Sequence, residues 1–525
     1  MNMSNVTSCA LGTGVILNGF CALEVPVELV QPRSVRSIGP SDMLVLERGT
    51  ESVVYLFDSD GDGMPDDKEY IASAPSLNHG LALYDGYLYA SSDSAVYRWF
   101  HGSKDFEWNF TDPLDDPEIV VDNINRDGQG GAPRGHQTRT LEFDRLGRLY
   151  ITVGSDRNVD PDSHRSRIRR APITRHQDFL APLDFQTLEV FADGVRNTVG
   201  LAFDRHDVLW GVENGADNLQ REDLGGDITE DNAEELNRFR EEDAGSHYGY
   251  PYCWTEFLLP QGKGNGTGSV WAWPDFLDQN FTDDQCRNDY VAPLVSLQAH
   301  SAPLGITFYR WSPEVPIQCL GVEAFPQWMD GFAFIAYHGS WNRYVPTGYK
   351  VVYIAMNETG DAISSPIDLL AHQPPNARWD DGFRPVDVDF DVCGRLLVTS
   401  DGTGNSGSKI VRIEWKGLSC EEPSSSPSTE APTDFVVLPT PETPSPMPSS
   451  SQSSSLTNEP TLIDPTLTPS PGPSCIPTEL QSNSPSTTTV SPSERTSSGE
   501  AIYGRIAILA ITQAALIVGT SLFTL

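Results

Sequence analysis

A strand, an aspartate-rich turn and a second strand recur from about Val35 to Trp415, and few folds can absorb that repetition. The clearest copies are LALYDGYLYASS (81–92), LEFDRLGRLYITVGS (141–155), LAFDRHDVLWGVENG (201–215) and VDFDVCGRLLVTSDG (388–402). Within each, apolar residues alternate with polar ones at the period of a half-buried strand, and Asp and Gly between the runs supply the turn. MLVLERG with SVVYLFD (43–49, 52–58) and LGITFYRW with FAFIAYHGS (304–311, 332–340) are divergent copies, which makes six. Strand-like text follows the copies, such as AVYRW (95–99), YKVVYIA (349–355) and KIVRIEW (409–415), so each unit reads as a sheet of three or four strands. Six such sheets set radially predict an all-β, six-bladed β-propeller with long loop insertions. A β-sandwich would leave the repetition without a cause. The insertions fall at 156–182 and 215–302, and 230–242 carries the one passable helical pattern.

Laid on one another, the copies bring their polar residues into phase. Asn78-His79, Arg134-Gly135-His136, Arg196-Asn197 and Arg384 precede a first strand; Glu47-Arg48, Glu213-Asn214-Gly215 and His338 follow a second. In a propeller the innermost strands ring the central channel, so residues of one phase share one end of it. Any one of these arginines alone reads equally well as the partner of a neighbouring Asp, but fold maintenance does not require the shared phase. The spacing therefore predicts a mouth lined by arginine and histidine, with His136 a candidate base near neutral pH.

The motifs GHQTRTLEF (135–143), GVRNTVGLAFD (194–204), HYGYPYCW (247–254), HGSWNR (338–343) and FRPVDV (383–388) are collinear. Together they resemble the soluble quinoprotein glucose/sorbosone dehydrogenases, and more closely the fungal-type pyranose dehydrogenases that use pyrroloquinoline quinone (PQQ). The likeness runs from about Val35 to Trp415. It implies that His136 takes the proton of a sugar hydroxyl while hydride passes to PQQ. It places Arg48, Asn78, Arg196, Asn197, Asn214, His338, Arg343 and Arg384 at the cofactor, with Arg384 on a cofactor carboxylate. It also implies a calcium ion held by the backbone carbonyls of a Gly-Pro step, here Gly215 and Ala216; Ala216 stands for the proline and Asn214 for a glutamine. Three carboxylates on PQQ suit a mouth of guanidinium groups in an otherwise acidic protein. No haem-attachment CxxCH occurs, so electrons leave to a separate acceptor, a cytochrome or a quinone. The alternative is a propeller that has lost the chemistry and serves as a receptor or carbohydrate-binding module, with Trp271, Trp273 and Trp341 as its aromatic platform.

A second calcium signal is independent of that likeness. DSDGDGMPDDKE (58–69) sets Asp58, Asp60, Asp62, the backbone of Met64, Asp66 and Glu69 at EF-hand loop positions, with Gly63 at the sharp turn. A strand leads in where a helix would stand, so the loop reads as structural.

A formal net charge of −38 argues against a nucleic-acid partner. Eight cysteines without CxxC pairs read as structural disulfides, with Cys253–Cys286 and Cys393–Cys420 the expected pairs. Six Asn-x-Ser/Thr sequons, at Asn2, Asn5, Asn109, Asn265, Asn280 and Asn357, agree with a secreted glycoprotein. The expected organisation is an N-terminal segment (1–34, an incomplete secretory start), the propeller (35–420), a Ser/Thr/Pro-rich disordered stalk (421–498) and a C-terminal signal (499–525). Small residues at 497–499, a polar spacer and the apolar run 506–525 match a GPI-attachment signal better than a membrane span, giving a cell-surface protein anchored by lipid.

Overall fold

The computed structural model describes residues 9, 11–101, 113–125, 136–161, 165–173, 181–277, 279, 281–404 and 406–417. The chain divides after Ser419, and all described residues lie in the first unit; the stalk and C-terminal signal expected beyond it lie outside them.

Six antiparallel sheets form the body. From inner to outer strand, blade I is Pro32–Ser37, Met43–Glu47, Ser52–Phe57 and Asp67–Ser73; blade II is Leu77–Tyr84, Tyr87–Ser92, Val96–Phe100 and Glu118–Asp122. Blade III is Leu141–Phe143, Arg148–Val153, Arg167–Pro172 and Glu189–Asp193; blade IV is Thr198–Phe203, Leu209–Glu213, Glu234–Phe239 and Val295–Leu297. Blade V is Pro303–Phe308, Ala333–Tyr337, Lys350–Ile354 and Ile367–His372, extended by Gly14–Ile16. Blade VI is Pro385–Phe390, Leu396–Thr403 and Ser406–Trp415, completed by Phe20–Glu24. The first strands of successive blades touch one another right round, so the six close a ring about one channel. Residues ahead of Val35 thus supply strands to two blades, and one blade is built from both ends of the propeller.

The inner hairpins form for a local reason. In blade III, Asp144 Oδ1 accepts the backbone N–H groups of Leu146 (3.0 Å) and Arg148 (2.8 Å). Asp204 does the same for His206 and Val208 in blade IV, and Asp391 for Cys393 and Arg395 in blade VI. The aspartate supplies the acceptors that the turn would otherwise leave to water. Gly147 takes φ +82° in the blade III turn, where a Cβ would also meet Tyr84 Oη at 2.4 Å. Between blades the core is apolar: Leu44, Leu46 and Val53 of blade I pack on Leu81, Leu88 and Ala90 of blade II.

Three expectations change. The copy 43–58 is the second and third strand of blade I, whose innermost strand is Pro32–Ser37. The segment 230–242 is not a helix; Glu234–Phe239 pairs with Leu209–Glu213 as the third strand of blade IV. Cys253 is bonded to Cys286 as expected, but Cys393 is bonded to Cys319, which ties the long loop between the first two strands of blade V to the turn of blade VI. Cys420 lies outside the described residues.

Candidate active site

Hydrogen bonds passing from blade to blade show that the phased polar residues share one end of the channel. Arg33 in blade I donates from Nη1 to Asp401 Oδ2 in blade VI (2.7 Å) and from Nε to His79 Nδ1 in blade II (3.3 Å). Asn78 Nδ2 reaches the Gln137 carbonyl ahead of blade III (3.0 Å). Arg196, ahead of blade IV, donates to the Asn158 carbonyl (3.1 Å) and side-chain oxygen (3.2 Å) on the loop after blade III. Asn214 Nδ2 reaches the Pro303 carbonyl in blade V (2.7 Å), and His338 Nε2 meets Asp401 Oδ1 in blade VI (2.8 Å). The circle is complete.

His136 is set by the end of its own hairpin. Its Nδ1 lies 2.8 Å from the Ser155 carbonyl oxygen, which can only accept, so Nδ1 carries the proton and Nε2 holds the lone pair. Burial and the nearby Arg196 guanidinium lower its pKa to about 4. Gly154 permits the arrangement, because a Cβ there would meet His136 Cβ at 2.6 Å and Asn197 Oδ1 at 2.7 Å. His136 opens on a cavity of about 380 Å³ that also exposes Arg196, Asp217, Glu234, His300 and Trp341. Asp217 Oδ1 accepts from His300 Nδ1 (3.2 Å) and Asn342 Nδ2 (3.1 Å). The other His300 nitrogen, Nε2, lies 3.0 Å from the Thr229 carbonyl, so both ring nitrogens face acceptors. Against the effect of burial, Asp217 and Glu234 raise the His300 pKa. One cavity therefore holds an imidazole kept neutral and a second whose surroundings favour its protonated form.

On the other side of the mouth, burial and Arg33 lower the Arg48 pKa, and its guanidinium has no hydrogen-bond partner among the described residues. Arg384 donates to the carbonyls of His338 (3.1 Å) and Gly339 (2.8 Å) and stands over the Tyr349 ring. Although burial acts the other way, His338 and Arg33 hold the Asp401 carboxyl well below the usual range. Burial lowers the His338 pKa.

Most expected cofactor residues are thus gathered at this mouth, and the group suits a polyanion. Arg33, Arg48, Arg196 and Arg384 belong to it, and Asn78 Oδ1 is buried without a hydrogen-bond partner. Arg343 is committed elsewhere, to an ion pair with Glu230. The expected calcium cradle does not fit as it stands: the Gly215 carbonyl accepts Arg196 Nη1 (2.7 Å), and the Ala216 carbonyl accepts Asn232 Nδ2. Trp271 and Trp273 are buried, which leaves Trp341, 74 % exposed, as the only member of the expected aromatic platform at the surface. Arg134 and Gly135 lie outside the described residues.

The 58–69 loop stands apart, on blade I. Ligand oxygens of Asp58, Asp60 and Asp62 lie within 4.8 Å of one another, the one such acidic group among the described residues. Asp58 accepts N–H groups of Gly61 (2.7 Å) and Gly63 (2.7 Å), which curls the backbone round it. Asp66 is bonded to Ser59 at the base of the loop, and Glu69 stands on Asp67–Ser73 opposite Tyr55, outside the group of three.

Arg33, Ser155, Asn158, Asp217, Glu234, His300 and Asp401 were not foreseen. Phase could have found two of them, since Ser155 stands in its copy where Gly215 stands and Asp401 where Asn214 stands.

A ring of six blades with guanidinium groups and a neutral imidazole at one mouth defines a class of propeller built to hold an anionic ligand beside a base. Within it, residues 15–408 match the TrAA12-like family, and the chain belongs to that family. It is 30% identical over 405 residues to a pyrroloquinoline quinone-dependent sugar dehydrogenase of Hypocrea jecorina, covering 72% of this chain and 84% of that one. It is 26% identical over 435 residues to a pyrroloquinoline quinone-dependent pyranose dehydrogenase of Coprinopsis cinerea, of whose length it spans 53%. The calcium structure of the Trichoderma reesei Carbohydrate-Active Enzymes Family AA12 protein matches with TM-score 0.64 at 28% identity, covering 79% of this chain and 99% of that one.

Proposed function

We infer that this protein is a quinoprotein oxidoreductase, with PQQ and calcium as cofactors, that oxidises a hydroxyl group of a sugar. The observation that carries the reading is His136: a ring held neutral, its lone pair at Nε2, in a cavity beside Arg196 and Asn197. Relatives named as PQQ-dependent sugar and pyranose dehydrogenases support catalysis over a receptor or lectin role.

Bound PQQ supplies the acceptor for hydride from the carbon that bears the hydroxyl. The chain's own residues do the rest. His136 Nε2 takes the hydroxyl proton, and its Nδ1–H bond to Ser155 keeps the ring from turning. Arg48, Arg196 and Arg384 would hold the cofactor carboxylates, with Asn78 Oδ1 and Asn214 adding polar groups. Asp217, steadied by His300 and Asn342, offers an acceptor to further sugar hydroxyls. Calcium suits Asp58, Asp60 and Asp62, whose carboxylates converge, and its role there is structural.

The same reading puts the enzyme outside the cell, N-glycosylated, tethered by lipid through the C-terminal signal, and passing electrons to a separate cytochrome or quinone. The Ser/Thr/Pro-rich run 421–498 and the apolar run 506–525 support it. Release from cells by a phosphatidylinositol-specific phospholipase C checks the tether.

The deciding experiment adds PQQ and calcium to apo-protein. Sugar-dependent reduction of an artificial dye is expected; protein that binds no PQQ by calorimetry or quinone absorbance ends the enzyme reading.

A further inference from the structure

The first described residues do an unusual amount of closing. Gly14–Ile16 lies along Ile367–His372 as the outermost strand of blade V, and Phe20–Glu24 lies along Ser406–Trp415 as the outermost strand of blade VI, so one short segment bridges the last two blades. Cys9 precedes that segment and Cys21 lies in its second strand. The Cys9 carbonyl accepts the N–H of Ala22 (2.9 Å), which brings the two cysteine backbones side by side.

We propose that Cys9 and Cys21 form a third disulfide, which clasps the N-terminal segment across the junction of blades V and VI. Three observations carry it. The backbone hydrogen bond from Ala22 to the Cys9 carbonyl (2.9 Å) sets Cys9 beside the neighbour of Ala22, Cys21, the proximity a disulfide requires. The other four cysteines of the described residues are all paired, as Cys253–Cys286 and Cys319–Cys393, so among the described residues oxidation of those leaves only this adjacent pair reduced. The pair also encloses the closing strand Gly14–Ile16 and anchors it inside the second, Phe20–Glu24, where a cross-link has most to hold.

The chemistry is thiol–disulfide exchange, with a protein or small-molecule disulfide as the oxidant. The exposed Cys9 attacks the oxidant as thiolate and releases one thiolate from it. Cys21 then attacks the Cys9 sulfur of the mixed disulfide and expels the second. Two thiol protons are lost and two electrons pass to the oxidant disulfide, which leaves as two thiols. Cys21 is only 4 % exposed, and burial with the Cys9 contact pushes its thiol up to about 12, so in the folded chain it is a poor nucleophile. The bond therefore forms while Phe20–Glu24 is still settling into blade VI.

Peptide mapping of the full secreted chain, alkylated without reduction, tests this directly. A cross-linked pair of peptides containing Cys9 and Cys21 is expected. Alkyl label on both residues, or either one joined to Cys420 or Cys475, overturns the proposal. Cys9→Ser, at the exposed position, keeps the blade VI packing intact and should lower the unfolding midpoint by about 3 °C.

Discussion

His136 is useful as a base because two neighbours prepare it. Ser155 takes the Nδ1 proton and leaves Nε2 open, while burial and Arg196 keep the ring from charging. A folded pKa of about 4 has a kinetic consequence: the base is lost only as pH falls through about 4, so the acid limb of the rate profile should lie there and not near 6.5. His136→Ala should lower turnover by about two to four orders of magnitude while PQQ still binds, checked by dye reduction beside quinone absorbance. Arg384→Ala should instead weaken PQQ binding first, seen in calorimetry as a raised Kd, because it removes a charged partner of a carboxylate. At this scale the sequence was legible where a residue stood in phase with its counterparts, as His136, Arg196 and Arg384 do. It was not legible for Asp217, Glu234 and His300, which are brought to the mouth by the long excursion between the blade IV and blade V inner strands and have no counterpart in the other hairpins.

The hairpins themselves could be read because each carries its own instruction, an aspartate whose side chain satisfies the turn, and because the alternation on either side allows only one face inward. Where the pattern was ambiguous, tertiary pairing decided. Glu234–Phe239 is rich in helix formers, with Leu236 and Phe239 at helical spacing, yet pairing along Leu209–Glu213 makes it a strand. The first copy slipped by one strand because Pro32–Ser37, with four polar residues and a proline among six, hides its role. No spacing rule could join Cys319 to Cys393, which meet only after blades V and VI are neighbours. For the 58–69 loop, three converging carboxylates repel one another until a cation neutralises them. Calcium should therefore raise the unfolding midpoint of the wild type, and Asp60→Ala with Asp62→Ala should abolish that rise while leaving the turnover of folded enzyme nearly unchanged; a large rate loss at unchanged midpoint would contradict a structural role.

The channel also has a far mouth, a cavity of about 610 Å³ between the hairpin turns, and it will shape the response of the whole fold to pH. Burial raises Glu142 to about 7 and Asp389 to about 6, with Arg36 only partly offsetting, since that guanidinium is bonded to Asp387 (3.1 Å) and stands 4.0 Å from Glu142. Both carboxyls hold protons more tightly folded than unfolded. Their contribution to stability is therefore full below the ordinary carboxylate range and is lost as pH rises through about 6 to 7. Glu142→Gln should flatten the fall in unfolding midpoint between pH 5 and pH 8 and raise the midpoint at the alkaline end, measured by calorimetric scans across that interval.

Blade VI, made from both ends of the propeller, imposes an order in time. During synthesis Phe20–Glu24 emerges early, and the strand it must pair with, Ser406–Trp415, emerges last. At roughly 5–20 residues per second, the early strand waits on the order of half a minute with its edge unpaired. Blades I to IV can form on the ribosome during that interval, but the ring cannot shut until translation has passed Trp415. Pausing, premature termination or a chaperone engaged near the nascent N-terminus will therefore act on one event, the closing of the circle, while the finished blades stand ready.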